Sequence, residues 1–329
     1  MNYRISIALG TYNGEKYLAE QLNSFMIQTH LPDELIISDD CSTDASLSIA
    51  EAFRDQAPFD VKILINKSNI GYSQNFSKAM TNCTGDIVFL SDQDDVWLPS
   101  KIEKILSKFT TNLNLQLVIH DLDYCNANLI PIGQTKIERM SGVFDLDSQY
   151  IVGMATAIRT PFLKLCLPIP NEFGITHDSW LHDCARIVGG KAIIREVLAL
   201  YRRHPSNLTS PGSLNVDFIT TPDHFKETIK TTLETFKTKS ILIGTEGSPL
   251  INWIKKNRNY LISEGYCEAD RIDNFLDIEN LKLDKVKERY KVLGLSRTKR
   301  LLSIVILYRN GGYKYFNGWK SALKDLLIN

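Results

Sequence analysis

The 329-residue chain has little that would mark a thiolate-metal, redox or membrane-spanning protein. Its six cysteines (Cys41, Cys83, Cys125, Cys166, Cys184, Cys267) are scattered with no Cys-x-x-Cys pair, which argues against a zinc site or a redox dithiol. Free thiols in a reducing compartment fit that spacing. No apolar run reaches the roughly 20 residues of a membrane-spanning helix, and the longest, Leu301 to Tyr308, is interrupted by Ser303. Ile5 to Leu9 is too short for the core of a secretory signal, so a cytoplasmic protein is expected and the sequon Asn207-Leu208-Thr209 reads as incidental. There is no Gly-Lys-Ser/Thr, which excludes a P-loop enzyme, and no internal repeat or low-complexity tract. Net charge is also lacking, with 38 Lys/Arg against 38 Asp/Glu, and nothing calls for a nucleic-acid partner.

That zero conceals an asymmetry. Residues 1–210 hold 18 Lys/Arg against 24 acids, whereas residues 211–329 hold 20 against 14. From Lys282 onward the count is 12 against 3. An acidic catalytic part followed by a basic tail is the natural reading, and such a tail suits an anionic surface. The texture changes at the same place: beyond Pro211 come helical patterns such as Phe225–Phe236, Leu250–Ile262 and Leu283–Leu293. The expected division is therefore an α/β domain over 1–211 (halves 1–120 and 121–211) and a helical region over 212–329.

What is present centres on Gly85 to Trp97. Ile87-Val88-Phe89-Leu90 reads as a strand buried on both faces. Asp92, Asp94 and Asp95 follow at once. Three acids in four residues repel one another, and a fold that keeps them together supplies a cation or hydrogen-bond donors. Oxygen ligands with no neighbouring Cys or His favour Mg²⁺ or Mn²⁺, which characteristically share their ligands with substrate phosphates. The blander alternative is an acidic turn before a helix opening with the capping-box pattern Ser100-Lys101-Ile102-Glu103.

The rest of the chain weighs against the blander alternative. Strands at Ile5–Leu9, Leu35–Ser38, Val61–Ile65, Ile87–Leu90 and Leu117–Asp121 alternate with helical stripes, the mark of a mainly parallel sheet between helix layers. Ligands bind such sheets beyond the C-terminal strand ends. Thr11, Asp39, Asp40, Asn69, Asp92 and Asp94 all fall at that edge. Further on, Tyr150–Arg159 reads as a strand or strand pair, Leu181–Ile187 as a helix, and Ala192–Leu200 as a strand running into Tyr201-Arg202-Arg203-His204. His120, Asp121 and Asp123 read as a strand-end turn in preference to a metal cluster.

Five segments then occur in a familiar order: Thr11-Tyr12-Asn13-Gly14; Asp39-Asp40-Cys41-Ser42-Thr43-Asp44; Asn69-Ile70-Gly71; Ser91-Asp92-Gln93-Asp94-Asp95-Val96-Trp97; and His177-Asp178-Ser179-Trp180. Residues 1 to about 210 resemble the family 2 glycosyltransferases, which have the GT-A fold, and are most similar to bacterial rhamnosyltransferase-type members of surface polysaccharide synthesis. The resemblance implies that Thr11 and Asp40 contact the nucleobase, with Tyr12, Asn13 and Asn69 in the same donor site. It implies that Asp92 holds the ribose, that Asp94 binds the metal bridging the donor diphosphate, and that Asp178 is the catalytic base. Asp39, Asp95, His177 and Trp180 support these, Trp180 as a platform on which a sugar stacks. Arg202, Arg203 or His204 would add donors for the phosphates. Two positions depart from the family: Gln74 and Asn75 stand where many relatives have an Arg, and His177 where many have Glu.

The expectation is thus an inverting, Mn²⁺- or Mg²⁺-dependent glycosyltransferase using dTDP-rhamnose or a UDP-hexose. Its acceptor would be a saccharide, lipid-linked, in O-antigen or capsule synthesis, with the basic tail touching the inner membrane face. A sugar-phosphate nucleotidyltransferase is the enzyme alternative, but it requires a Gly-rich, Arg-containing loop that Thr11-Tyr12-Asn13-Gly14-Glu15 does not supply. A receiver-like signalling module is the non-enzyme alternative, and it lacks the strand-end Lys such a module pairs with its acceptor Asp.

Overall fold

The apolar runs at the start of the chain become the centre of one sheet. In the computed structural model β1 (Ile5–Thr11), β2 (Glu34–Asp39), β3 (Asp60–Ile65) and β4 (Ile87–Ser91) lie parallel in the order β3-β2-β1-β4. β1, β2 and β4 are buried at every position, whereas β3 is the exposed edge. Helices α1 (Leu18–Met26), α2 (Ser46–Arg54) and α3 (Tyr72–Thr81) make the crossovers. The structure describes residues 3–140, 146–172, 175–205, 207, 248–316 and 318–327. The expected boundary near residue 211 and the helix at Phe225–Phe236 lie outside them. By its contacts the chain separates into two compact units, Met1–Ser213 and Leu214–Asn329.

Beyond β4 the strands run both ways. After β5 (Val96–Trp97) and α4 (Lys101–Thr111) come β6 (Leu117–Cys125), β7 (Pro131–Thr135), the short helices α5 (Lys136–Arg139) and α6 (Leu146–Gln149), and β8 (Thr156–Arg159). Helices α7 (Thr160–Cys166) and α8 (His177–Val188) and strand β9 (Lys191–Arg202) complete the unit. β8 is antiparallel to both β4 and β6, β9 is parallel to β6, and β5 is antiparallel to β9. The sheet is therefore mixed, with its parallel half at the N-terminus.

Three local expectations are corrected. Tyr150–Arg159 is not one strand: Gly153–Ala155 forms a 3₁₀ turn and only Thr156–Arg159 pairs. A Cβ on Gly153 would come 3.0 Å from His177 Nε2, so the chain bends where it must approach α8. The Ser100 capping box does not form, because Gln28 Oε1 accepts from Ile102 N–H (3.3 Å) and Glu103 accepts from Thr29 Oγ1 (2.7 Å). Capping boxes close α5 at Thr135/Glu138 and α8 at Thr176/Ser179 instead. Finally, Pro32 and the stretch His30–Asp33 mark where the sequence would end the first helix, whereas α1 stops at Met26.

The second unit contains α9 (Pro249–Ser263), α10 (Ala269–Leu293), α11 (Arg297–Arg309) and α12 (Trp319–Leu327). Val292, Ile304, Leu307, Tyr313 and Ala322 form a core in which Arg289 bonds both Asp325 oxygens (2.9 and 2.6 Å) and Tyr313 donates to Asp325 (2.7 Å). No helix among the described residues is long and apolar enough to cross a membrane.

The tight entry into β4 gives a test of the first unit. A Cβ on Gly85 would lie 2.7 Å from Arg4 O and 2.8 Å from Ser6 N, both backbone atoms that cannot step aside. Gly85→Ala is expected to cost about 1–3 kcal/mol. Urea unfolding should show a lower midpoint with an unchanged slope.

Candidate functional site

The site forms where the parallel strands end. Asp39 caps its own turn, accepting from Ser42 N–H (2.9 Å) and Ser42 Oγ (2.5 Å). Asn13, held at φ 47, lets its N–H reach Ser42 Oγ (2.9 Å) while its side-chain oxygen accepts from Thr43 N–H (2.9 Å). The loops after β1 and β2 are thereby tied together. Asp40 is buried and accepts from Asn66 Nδ2 (2.8 Å), Ile70 N–H (2.8 Å) and Gly71 N–H (2.9 Å), fixing the loop that carries Asn69. Asn69 accepts from Gly71 N–H (3.0 Å) in the same loop.

Gln93 links these loops to the acidic segment. Its Oε1 accepts from Thr11 Oγ1 (2.7 Å) and Tyr12 N–H (2.9 Å), and its Nε2 donates to Tyr12 O (3.1 Å). Gly14 leaves room for this amide, since a Cβ there would sit 2.3 Å from Gln93 Oε1 and displace it. Tyr12 itself is exposed.

The three acids of the central segment have different surroundings. Asp95 is fully buried; Oδ1 accepts from Arg202 N–H (2.9 Å) and Oδ2 has no partner. Burial, reinforced by the charges of Asp94 and Asp92, pushes its carboxyl well above the usual range. Asp94 turns toward β9: its Oδ2 lies 2.9 Å from His204 Nε2 and accepts from Asn207 Nδ2 (3.2 Å). The Asp92 carboxylate has no hydrogen-bond donor among the described residues. Burial, Asp94 and Asp178 raise it to about 8, against a lowering pull from Lys101.

Lys101 is the buried counterweight. Its ammonium donates to Met154 O (2.7 Å) and stands 3.5 Å above the Trp97 ring. Burial drives its pKa well down while Asp95 and Asp92 oppose the drop. Trp97 is core, packed between Phe25 and Phe89.

Asp178 occupies the first turn of α8, where the helix dipole favours a negative charge. Its Oδ1 accepts from Thr176 Oγ1 and from Ser179 N–H (2.8 Å). Burial would raise its carboxyl, but His177, Thr176, His182 and Ser179 together hold it below the usual range. Burial also lowers His177, which is therefore neutral near pH 7, so the hydrogen bonds do most to keep Asp178 ionised. His177 stacks on Phe76 at 4.1 Å, and neither ring nitrogen has a partner. Lys136, lowered to about 8 mainly by burial, is drawn electrostatically toward Asp178 and donates to Ile151 O (3.0 Å).

Two expected contacts are not made. Trp180 is buried and donates Nε1–H to Cys166 O (2.7 Å), so it presents no face to a sugar. Arg202 is not turned to a ligand either. It donates to Asp94 O (2.8 Å) and Ala127 O (2.6 Å), pairs with Glu20, and lies over the Tyr17 ring at 4.4 Å. Arg203 donates its N–H to Cys125 O (2.8 Å), and its guanidinium lies over Tyr201 at 5.8 Å. His120 and Asp121 are structural, Asp121 accepting from Leu122 N–H, Ile137 N–H and Tyr150 OH. Gln93, Asn66, Lys101, Lys136 and Asn207 were not anticipated. Gln93, Lys101 and Asn207 stand in segments the sequence marks for other reasons, and Asn66 and Lys136 carry no local signal.

Among the described residues no group of three or more His, Cys, Asp or Glu is arranged as a metal cage. The donor set nevertheless fits a divalent cation that shares its ligands with a substrate. Asp94 Oδ2 and His204 Nε2 converge, an oxygen and an imidazole nitrogen that suit Mn²⁺, beside the uncompensated Asp92.

The model of the family described as "Glycosyl transferase family 2" matches residues 6–166. An uncharacterized glycosyltransferase of Nostoc sp. is 32% identical over 214 residues, 62% of this chain and 66% of the relative. This chain thus spans just under two thirds of that relative. The dTDP-rhamnosyl transferase RfbG of Shigella flexneri is 29% identical over 60% of this chain and 72% of its own length. In overall fold the chain is similar to the 1–349 fragment of TarS of S. aureus, solved in complex with UDP, with a TM-score of 0.55 at 14% identity over 98% of this chain and 89% of that fragment.

The clamp at the end of β9 gives the next test. Arg202→Met removes donors from Asp94 O, Ala127 O and Glu20 together and is expected to destabilise the protein by about 3 kcal/mol. A melting temperature within a degree or two of the parent would show that Arg202 is not structural. The strand-end geometry and the acidic segment thus lie within residues 6–166, the stretch that matches the glycosyl transferase family 2 model, on a sheet with the GT-A fold.

Proposed function

We propose that the chain is an inverting, metal-dependent glycosyltransferase. On this reading it moves a sugar from a pyrimidine nucleoside diphosphate, dTDP-rhamnose or a UDP-hexose, to a hydroxyl of a lipid-linked saccharide in bacterial surface polysaccharide synthesis. The observation that carries this reading is the pairing at one strand edge of Asp94 with His204, beside Asp92, with Asp178 kept ionised at the head of α8. RfbG, by its name a dTDP-rhamnosyl transferase, supports the choice of donor, and TarS, solved with UDP, supports a pyrimidine nucleotide.

On this reading Thr11, Tyr12, Asn13, Asp40 and Asn69 form the nucleoside end. Asp40 acts through the loop it holds. Asp92 would accept from the ribose hydroxyls, and Asp94 with His204 would hold Mn²⁺ or Mg²⁺, which would supply Lewis-acid neutralisation for a diphosphate leaving group. Arg203, which precedes His204 in the chain, would add a donor for the phosphates. The acceptor oxygen forms a bond to the anomeric carbon as the bond from that carbon to the diphosphate oxygen breaks. Its proton passes to the Asp178 carboxylate, and the diphosphate leaves with the bonding electron pair. One displacement with no covalent intermediate inverts the anomeric carbon. Asp178 suits the role of base because its hydrogen bonds fix the carboxylate and keep it ionised at neutral pH. A cytoplasmic enzyme resting on the inner membrane face would meet both a soluble donor and a lipid-linked acceptor.

Two substitutions separate the roles. Asp94→Asn should leave the fold intact while abolishing transfer and removing the metal-dependent part of the thermal stabilisation by nucleoside diphosphates. Near-normal turnover at limiting Mn²⁺ would sink the metal assignment. Asp178→Asn should keep donor affinity within a few-fold and slow transfer by roughly 10²–10⁴. If donor binding disappears while transfer at saturating donor stays normal, Asp178 is not the base.

A further inference from the structure

Helix α11 is apolar on two opposite sides. At about 100° per residue, Arg300, Ile304 and Leu307 share one side, and all three are buried. Leu301, Leu302, Val305, Ile306 and Tyr308 spread over an arc of about 160° on the other side, and all five are 42–65% exposed. Helix α12 also shows an apolar stripe to solvent, opposite a small and polar buried side. Ser321, Ala322 and Asp325 are buried, whereas Trp319, Leu323 and Leu326, at spacings of four and three, are exposed. The two helices pack on one another and share a core, so each buries one side and shows an apolar stripe to solvent. An exposed apolar stripe on two packed helices marks a surface built for a second environment.

Charge decides what that environment is. From Arg289 to Asn329 the sequence has nine Lys/Arg and a single acid, Asp325. That acid is buried and occupied by Arg289 and Tyr313, so it offsets nothing at the surface. Exposed Lys299 and Arg309 lie on α11 with the apolar stripe, and Lys291 and Lys314 are exposed in the adjoining segments. A second copy of this chain would set one positive apolar face against another. An anionic bilayer supplies apolar depth and opposite charge together.

We propose that the exposed face of α11 and α12 docks on an anionic lipid surface, with Leu301, Leu302, Val305 and Ile306 entering the acyl boundary and the flanking lysines and arginines meeting headgroup phosphates. This deepens the reading of a lipid-linked acceptor by naming the surface that meets the membrane, but it rests on the second unit's residues alone.

The test is flotation of the full chain with phosphatidylcholine vesicles, with and without phosphatidylglycerol. The protein should float with the anionic vesicles, come off as salt is raised, and ignore pure phosphatidylcholine. Leu302→Glu combined with Val305→Glu, both at exposed positions, should lower the bound fraction about tenfold or more. Lys299→Glu combined with Arg309→Glu should weaken binding without touching the apolar stripe. Both variants should keep the parent's melting temperature and its thermal shift with nucleoside diphosphate. Equal binding to neutral vesicles, no binding by the parent, or full binding by both variants would overturn the proposal. So would a dimer in light scattering that the Leu302/Val305 variant dissociates while vesicle binding is absent. Loss of the nucleotide response in the parent would instead count against the glycosyltransferase reading and leave this one standing.

Discussion

The constraint on which the first unit depends is an excess of carboxylates at one end of a sheet. Asp92, Asp94, Asp95 and Asp178 act on one another, directly or through Asp92, in surroundings poor in water. The protein treats each differently. Asp95 is driven toward its neutral form and spends one oxygen on the backbone of Arg202. Asp94 meets an imidazole and an amide. Asp178 is held ionised by a hydroxyl and a helix N-terminal N–H. Only Asp92 is left without a donor, with Lys101 opposing its rise from below. Such a site is short of positive charge, and a bound cation or a ring of ligand hydroxyls would relieve it.

The same economy explains why so many polar residues near the site never face a ligand. Gln93, Asn13, Asp40 and Asn66 bond loop to loop, fixing four strand ends against each other. Arg202 fixes the acidic segment to the end of β9 through Asp94 O. A rigid frame of this kind keeps the reacting groups in register without asking them to bind one another, which positional catalysis requires.

Much of this was legible in the sequence, for reasons that differ by residue. Buried parallel strands read as unbroken apolar runs, so Ile87–Leu90 and the acids after it located the edge directly. Asp178 was reached through the ordered motifs of a resemblance. Its neighbour Trp180 shows the limit: an aromatic beside an acid reads equally well as a sugar platform or as core, and only tertiary packing made it core. In Tyr201-Arg202-Arg203-His204 the strand's two-residue alternation points neighbours to opposite faces, and composition gives no hint of which arginine is buried. Ser100 and Glu103 had the right spacing for a capping box, but Gln28, distant in sequence, took the helix N–H instead. Lys101 carried no reading of its own beyond its place in that pattern, since nothing local announces a lysine buried over a tryptophan. The tail's apolar helix faces were visible as basic and apolar residues interleaved, though not which side each residue takes.

The central claim is that the Asp92–Asp94–His204 end receives a nucleoside diphosphate together with a divalent cation. The most direct measurement is the melting temperature of the unmodified protein against UDP, dTDP, GDP and ADP, each with and without Mn²⁺. The account predicts that UDP or dTDP raises the melting temperature several degrees more than the purine nucleotides, and that most of the rise needs Mn²⁺. Equal stabilisation with and without Mn²⁺, or by none of the four nucleotides, would contradict it.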